Sequence, residues 1–321
     1  MTWLAGWLLA VGVNAAELRM GIIGTDTSHV PVFAETFNNP QAKLYVPGGK
    51  VVGAFKGGSP DFPQSASRVD GYAKTLQDKY GIKLYDTIPE LCSNVDVVML
   101  ESVDGRCHLQ QAEQVIAAHK PLYIDKPMAA SLADVLTIFR LAKAANVPIW
   151  SASSLRFAKD TQAVRAGKIG TVNYAETYSP CEMGEHHPEL FWYGVHGVES
   201  LYTVMGTGCE TVQRTLSTNG AIEVVGIWQG GRKGVYHQDL AKKYHGLAKG
   251  DKGESPVGSY DGYLPLAEQI MKFFQTGQPP VKPEETIELF AFMTAAQESK
   301  EKGGAPVRIR DVMAEVAGQL K

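Results

Sequence analysis

From residue 18 to about residue 148, short apolar runs alternate with longer stretches of helical spacing, a rhythm that predicts parallel β-α-β units. Strands are expected at residues 18–23, 50–55, 95–100, 122–124 and 147–150, and helices at 31–37, 69–79, 107–118 and 132–144. In the last two helices apolar residues recur at three- and four-residue spacing, as at Val115 and Ala118, and at Val135, Ile138 and Phe139. After Trp150 the pattern shifts to Gly, Tyr, Thr and charged turns, with strand-like runs at 171–178, 213–218, 222–228 and 234–238. A stretch rich in Gly, Lys and Pro at 248–258 reads as an exposed loop. Helices are expected at 197–205 and from Pro283 to about Lys302, the second with acidic residues in its first turn and Gly303-Gly304 after its end.

The fold class expected is α/β. A Rossmann-like, doubly wound parallel sheet occupies residues 17–150, and an α+β substrate and oligomerisation domain with a mostly antiparallel open sheet occupies 151–321, its C-terminal helix free to pack back on the first domain. The length of 321 residues supports two cores. A net charge of −3 gives no electrostatic reason to expect nucleic acid or an anionic membrane as partner.

Residues 1–16 stand apart. No charged side chain occurs from Met1 to Val13, and Val13 and Ala15 fall at the −3 and −1 positions of a small-residue cleavage site. The segment reads as a secretory signal, which implies export, to the periplasm. The competing reading is an extra helix or an anchor, although the run is short of the roughly 20 residues a span needs. Cys92, Cys107, Cys181 and Cys209 show no CxxC spacing and read as buried free thiols, with one bridge as the alternative in an exported protein.

Candidate chemistry begins at Gly21-Ile-Ile-Gly24-Thr25-Asp26-Thr27-Ser28-His29, between the first strand and the first helix. This is where a nucleotide-binding turn belongs, but Thr25, Asp26, Thr27 and Ser28 replace its glycine-rich part. Hydroxyls at a helix start suit phosphate, whereas Asp26 would repel it. A capped strand-to-helix turn is the plain alternative. After the second strand, where an acid commonly holds the NAD ribose, the chain has Lys56-Gly57-Gly58-Ser59. Lys56 suits the 2′-phosphate of NADP, or marks a solvated loop. Cys181 to Glu189 is rich in potential ligands but matches no metal spacing, so no metal is assigned and the segment is read as a pocket-lining loop.

Taken together, several motifs in order resemble the glucose-fructose oxidoreductase, inositol dehydrogenase and MocA family. They are the Rossmann-like start, His108 after Glu101-Ser102-Val103-Asp104, Asp125-Lys126-Pro127, Leu155-Arg156-Phe157, Gly194-Val195-His196-Gly197-Val198-Glu199, and residues 287–302 leading into Gly-Gly-Ala-Pro. The resemblance implies NAD or NADP as cofactor, with Gly24, Thr25, Asp26, Thr27, Ser28, Lys56, Glu101, Ser102, Asp125, Lys126 and Arg156 along its path. It implies Lys126 and His196 as catalytic residues, with Arg156 near cofactor or substrate; in this chain's own residues Tyr193 or His187 is left to take over proton relay or substrate binding, so that Lys126, Arg156, His187, Trp192 and His196 are expected around a sugar or polyol and Tyr193 joins the catalytic set. It also implies a homo-oligomer.

Two positions depart from the family pattern. Asp125 stands for the usual glutamate, and Trp192 stands where an aspartate commonly precedes the histidine; Trp192 then offers a flat face to a sugar. The activity implied is hydride transfer between a sugar or polyol hydroxyl and a nicotinamide. Export, where free cofactor is scarce, keeps two alternatives open: a carbohydrate-binding or scaffold protein without redox turnover, and an NAD-retaining enzyme that cleaves glycosides.

Overall fold

The computed structural model describes residues 17–184 and 186–320, so the expected signal segment lies outside the described residues. The first sheet is built from β1 (Leu18–Ile23), β2 (Gly49–Phe55), β3 (Lys83–Tyr85), β4 (Val97–Leu100), β5 (Leu122–Asp125) and β6 (Ile149–Ala152). Its order is β3-β2-β1-β4-β5-β6, with every pairing parallel. The order reverses beside β1, so a crevice opens where β1 and β4 end, the usual place for a ligand in an open α/β sheet.

Between these strands run α1 (His29–Asn38), the single turn α2 (Pro63–Ala66), α3 (Val69–Tyr80), α4 (Ile88–Asn94), α5 (His108–Ala117) and α6 (Leu132–Ala145). Residues of β4, β5 and β6 are all buried, because helices cover both faces, and this explains why these strands read as continuous apolar runs. One face packs on α4, α5 and α6 through Leu91, Val115 and Val135. The other packs on Phe33 and Phe37 of α1 and on Leu266, Ile270 and Phe273 of α9 (Leu264–Thr276), a helix from the far end of the chain.

The second sheet comprises β7 (Val172–Ser179), β8 (Cys209–Leu216), β9 (Ile222–Trp228), β10 (Lys233–Gln238), β11 (His245–Gly250), β12 (Gly253–Pro256) and β13 (Val307–Arg308), in the order β12-β11-β7-β10-β9-β8-β13. Only β7 and β10 run parallel; the other neighbours are antiparallel. The expected loop at 248–258 is instead largely a hairpin of β11 and β12. α7 (Lys159–Arg165) leads into this domain, and α8 (Val195–Met205) and α10 (Pro283–Glu301) line one face of the sheet. α10 also reaches α6 of the first domain, as does α11 (Ile309–Gln319). No described helix is long and apolar enough to cross a membrane, and all four cysteines are free thiols.

Candidate active site

Lys126 is placed by the end of β5, followed by a cis bond to Pro127. Its ammonium Nζ lies 5.7 Å from the Trp192 ring centre and 5.5 Å from that of Tyr193, both carried by a wide π-type turn, Leu190–Gly194, ahead of α8. His196 follows in the first turn of α8, its ring 5.7 Å from Tyr193. Lys126, Tyr193 and His196 thus meet across the two domains. Burial holds the Lys126 amine below the usual lysine range, against the raising effect of Asp125 and Glu101. His196 is held well below the usual imidazole range by burial first and the Lys126 charge second. Burial is therefore the chief reason the ring is neutral near pH 7.

Ser153, at the end of β6, fixes that ring through an Oγ···Nδ1 contact of 2.7 Å, while Ser153 Oγ also accepts the Leu155 N–H at 3.2 Å. Nothing in the local sequence marks Ser153, because it reaches His196 from 43 residues away. A wall of phenols, also unforeseen, continues from His196. Ring centres step 5.7 Å to Tyr244, 6.3 Å on to Tyr260 and 5.8 Å on to Tyr263, which lies 4.7 Å from His29. Aromatic faces with hydroxyl rims suit a polyhydroxy ligand, which presents both C–H and O–H surface.

The β1–α1 turn differs from expectation. Gly24 adopts φ +87°, and a Cβ there would fall 2.4 Å from the Ser102 backbone nitrogen, so the turn lies directly on the β4 loop and Ser102 is fully buried beneath it. Thr25 points inward, donating from Oγ1 to the Val69 carbonyl at 2.9 Å. Asp26 is also turned in: its carboxylate accepts the Ser65 hydroxyl at 2.6 Å and the Val103 N–H at 3.0 Å. Burial pushes the Asp26 carboxyl above the usual carboxylate range. Asp26 therefore ties α2 to the β4 loop, instead of facing and repelling a phosphate. Thr27 is buried too, and only Ser28 is exposed, with a hydroxyl that makes no cap bond.

Three further assignments are corrected, those of Arg156, His187 and Trp192. Arg156 lies inside the second domain, its guanidinium bound to Glu199 and Glu285, because a buried cation needs buried anions more than a ligand. His187 is closed off, its Nε2 3.1 Å from Asp104. Trp192 offers no open face to a sugar: it is buried, edge-on to Phe62 at 4.8 Å and tilted against His187 at 5.3 Å. Lys56 pairs with Asp70 at the surface.

At the ends of β4 and β5, Glu101 and Asp125 come together with His29, whose Nδ1 is 2.7 Å from Asp125. Glu101 is fully buried, and neither of its oxygens has a hydrogen-bond partner. Burial, with the Asp125 charge second, raises its carboxyl well above the usual range. Burial also pushes Asp125 upward, but His29 and Lys126 outweigh it and hold that carboxyl at about 2.

A dinucleotide laid along this crevice would find two unlike halves. Unsatisfied Glu101, with Lys126 and His196 beyond it, fits a ribose with its nicotinamide, since hydroxyl donors would satisfy the carboxylate. The turn at β1 offers the phosphates little besides Ser28 and the start of α1.

Residues 18–153 match the model of the GFO_IDH_MocA oxidoreductase family, described as an NAD-binding Rossmann fold. No curated protein matches the chain. Among solved structures, a probable dehydrogenase from Thermotoga maritima superposes with a TM-score of 0.74 at 20% identity, over 92% of this chain and 100% of that one. Scyllo-inositol dehydrogenase from Lactobacillus casei, solved with NAD(H) and scyllo-inositol, gives 0.71 at 14% identity, over 92% and 99%. Myo-inositol dehydrogenase from the same organism, solved with NAD(H) and myo-inositol, gives 0.71 at 14%, over 91% and 96%. At these identities the likeness establishes a shared fold.

Proposed function

Because its first domain is a Rossmann domain of the Gfo/Idh/MocA oxidoreductase family, we propose that the chain is an NAD(P)-dependent oxidoreductase that acts on a CH–OH group of a sugar or polyol. The observation that carries this reading is the convergence of Lys126, Tyr193 and His196 beside a wall of tyrosines. The cofactor, when bound, accepts or returns the hydride; this chain's residues manage the proton and the substrate. His196, neutral and steered by Ser153 through Nδ1, leaves Nε2 to take the hydroxyl proton. Lys126 places positive charge beside the oxygen that becomes anionic. Tyr193, Tyr244 and Tyr260 hold the ring of hydroxyls in register.

The test is titration of purified protein with NAD and NADP by native mass spectrometry, followed by a polyol and sugar screen. Binding of either dinucleotide together with turnover is expected. Lys126→Met should then lower kcat by about 10²–10⁴-fold with dinucleotide affinity unchanged. Absence of binding up to millimolar concentration would sink the proposal. One observation favours a second reading, a carbohydrate-binding protein without redox turnover: Thr25, Asp26 and Thr27 are all buried in the turn that phosphates would need. Sugar affinity without dinucleotide affinity would select it.

A further inference from the structure

Where β1, β4 and β5 end, His29, Glu101 and Asp125 form a cluster with one donor atom from each within 4.8 Å of the others. His29 Nδ1 is 2.7 Å from Asp125 Oδ2 and 3.8 Å from Glu101 Oε2. All three residues are buried, Glu101 completely. Despite the short approach to Asp125, His29 Nδ1 makes no well-directed hydrogen bond, and neither do the Glu101 oxygens. The Lys126 ammonium lies over the Trp192 and Tyr193 rings, and its charge reaches both carboxylates. Glu101 converges with Asp125 on the imidazole with both of its own oxygens unsatisfied, which is costly for a buried carboxylate unless a cation joins the group.

We propose that His29, Glu101 and Asp125 bind a divalent first-row metal ion of the zinc or manganese class. An imidazole with two carboxylates suits these ions. With metal–ligand bonds of about 2.1 Å, two donors on one ion lie at most about 4.2 Å apart. The 3.8 Å separation meets that limit; the His29–Asp125 pair, at 2.7 Å, must open by a few tenths of an ångström to seat an ion, and the third pair lies within 4.8 Å. Outer support is present: the Tyr123 hydroxyl donates to the second Asp125 oxygen at 3.3 Å. Glu101 Oε2 faces the ion, which leaves Oε1 for a ligand hydroxyl.

The site stands independently of the oxidoreductase reading. Metal content is measured by plasma mass spectrometry on protein purified without chelator. Chelator-treated protein is then titrated by calorimetry with Zn²⁺ and with Mn²⁺. One ion per chain is expected, with affinity at least tenfold weaker in both Glu101→Gln and His29→Gln. His237→Gln, which removes the imidazole beside Glu223 and Glu176 on the second sheet, should keep full stoichiometry. Melting of the chelated variants near the chelated parent establishes that they fold, and should one variant fail, the other decides. No stoichiometric uptake of either ion, or uptake undiminished in the folded variants, would overturn the proposal. Dinucleotide titration of the same samples separates the two readings, since metal binding without NAD(P) binding refutes only the redox one.

Discussion

Replacing Arg156 by Met should cost the protein about 3–5 kcal/mol, the usual penalty for breaking a buried ion pair by removing one partner. The guanidinium is 2% exposed and bonds Glu199 of α8 through Nε and Glu285 of α10 through Nη1. Met keeps much of the side-chain volume, so little of the loss comes from a cavity. The loss comes instead from the anions left behind. Glu285 retains Arg165, two of whose nitrogens reach it at 2.9 Å, but Glu199 loses the one ion-pair partner it has among the described residues. Burial already raises the Glu199 carboxyl in spite of Arg156, so in the variant it takes up a proton at still higher pH, and part of the loss should recover on acidification. Lys in place of Arg should also fail, because a single ammonium cannot span both carboxylates as the planar fork does. Urea unfolding followed by the fluorescence of buried Trp150 and Trp228 measures the effect, and the companion Arg156→Met/Glu199→Gln should regain more than half of it. A variant as stable as the parent that binds dinucleotide or sugar poorly would refute this reasoning and restore Arg156 to the ligand site.

Further outcomes follow from the same geometry. Gly24→Ala should unfold at lower urea concentration, by about 1–3 kcal/mol or more, because φ is +87° and the new methyl would collide with Ser102; a parent-like midpoint would mean the turn is looser than its contacts imply. In chelated protein, Glu101 has a raised carboxyl, so the stability it contributes is fully present below the ordinary glutamate value and is lost as pH rises through the raised one. Glu101→Gln should abolish that downward slope in thermal melts, and an unchanged slope would place its origin elsewhere. Ser153→Ala should lower kcat about tenfold and leave dinucleotide affinity intact, as expected when the hydrogen bond that steers the His196 ring is lost; stopped-flow rates and a binding isotherm distinguish this from general damage.

What the sequence reveals depends on how far apart the interacting groups lie along it. β1, β2, β4, β5 and β6 were legible because burial on both faces makes each an apolar run. β3 escaped notice: it is a three-residue edge strand with no fully buried side chain. α4 was also missed, although its Thr87 and Glu90 form a complete capping box, because seven residues are too few to show a helical period. The β11–β12 hairpin reads as a loop since its Gly, Lys and Glu residues lie at a sheet edge and are mostly exposed.

The site divides in the same way. Lys126 and His196 stand out in the sequence because each sits in a short distinctive motif at the end or start of an element. Arg156 could not be placed, because what decides its role is charge compensation by carboxylates 43 and 129 residues away. Asp26 was misjudged for a related reason: a carboxylate in a phosphate turn repels anions only if it faces them, and its direction is set by Ser65 and Val103, donors 39 and 77 residues distant. His29, Glu101 and Asp125 become neighbours only through the strand order that sets β1 beside β4 and β4 beside β5. Each looks ordinary in its own segment, and the chemistry of all three exists only once the sheet has formed.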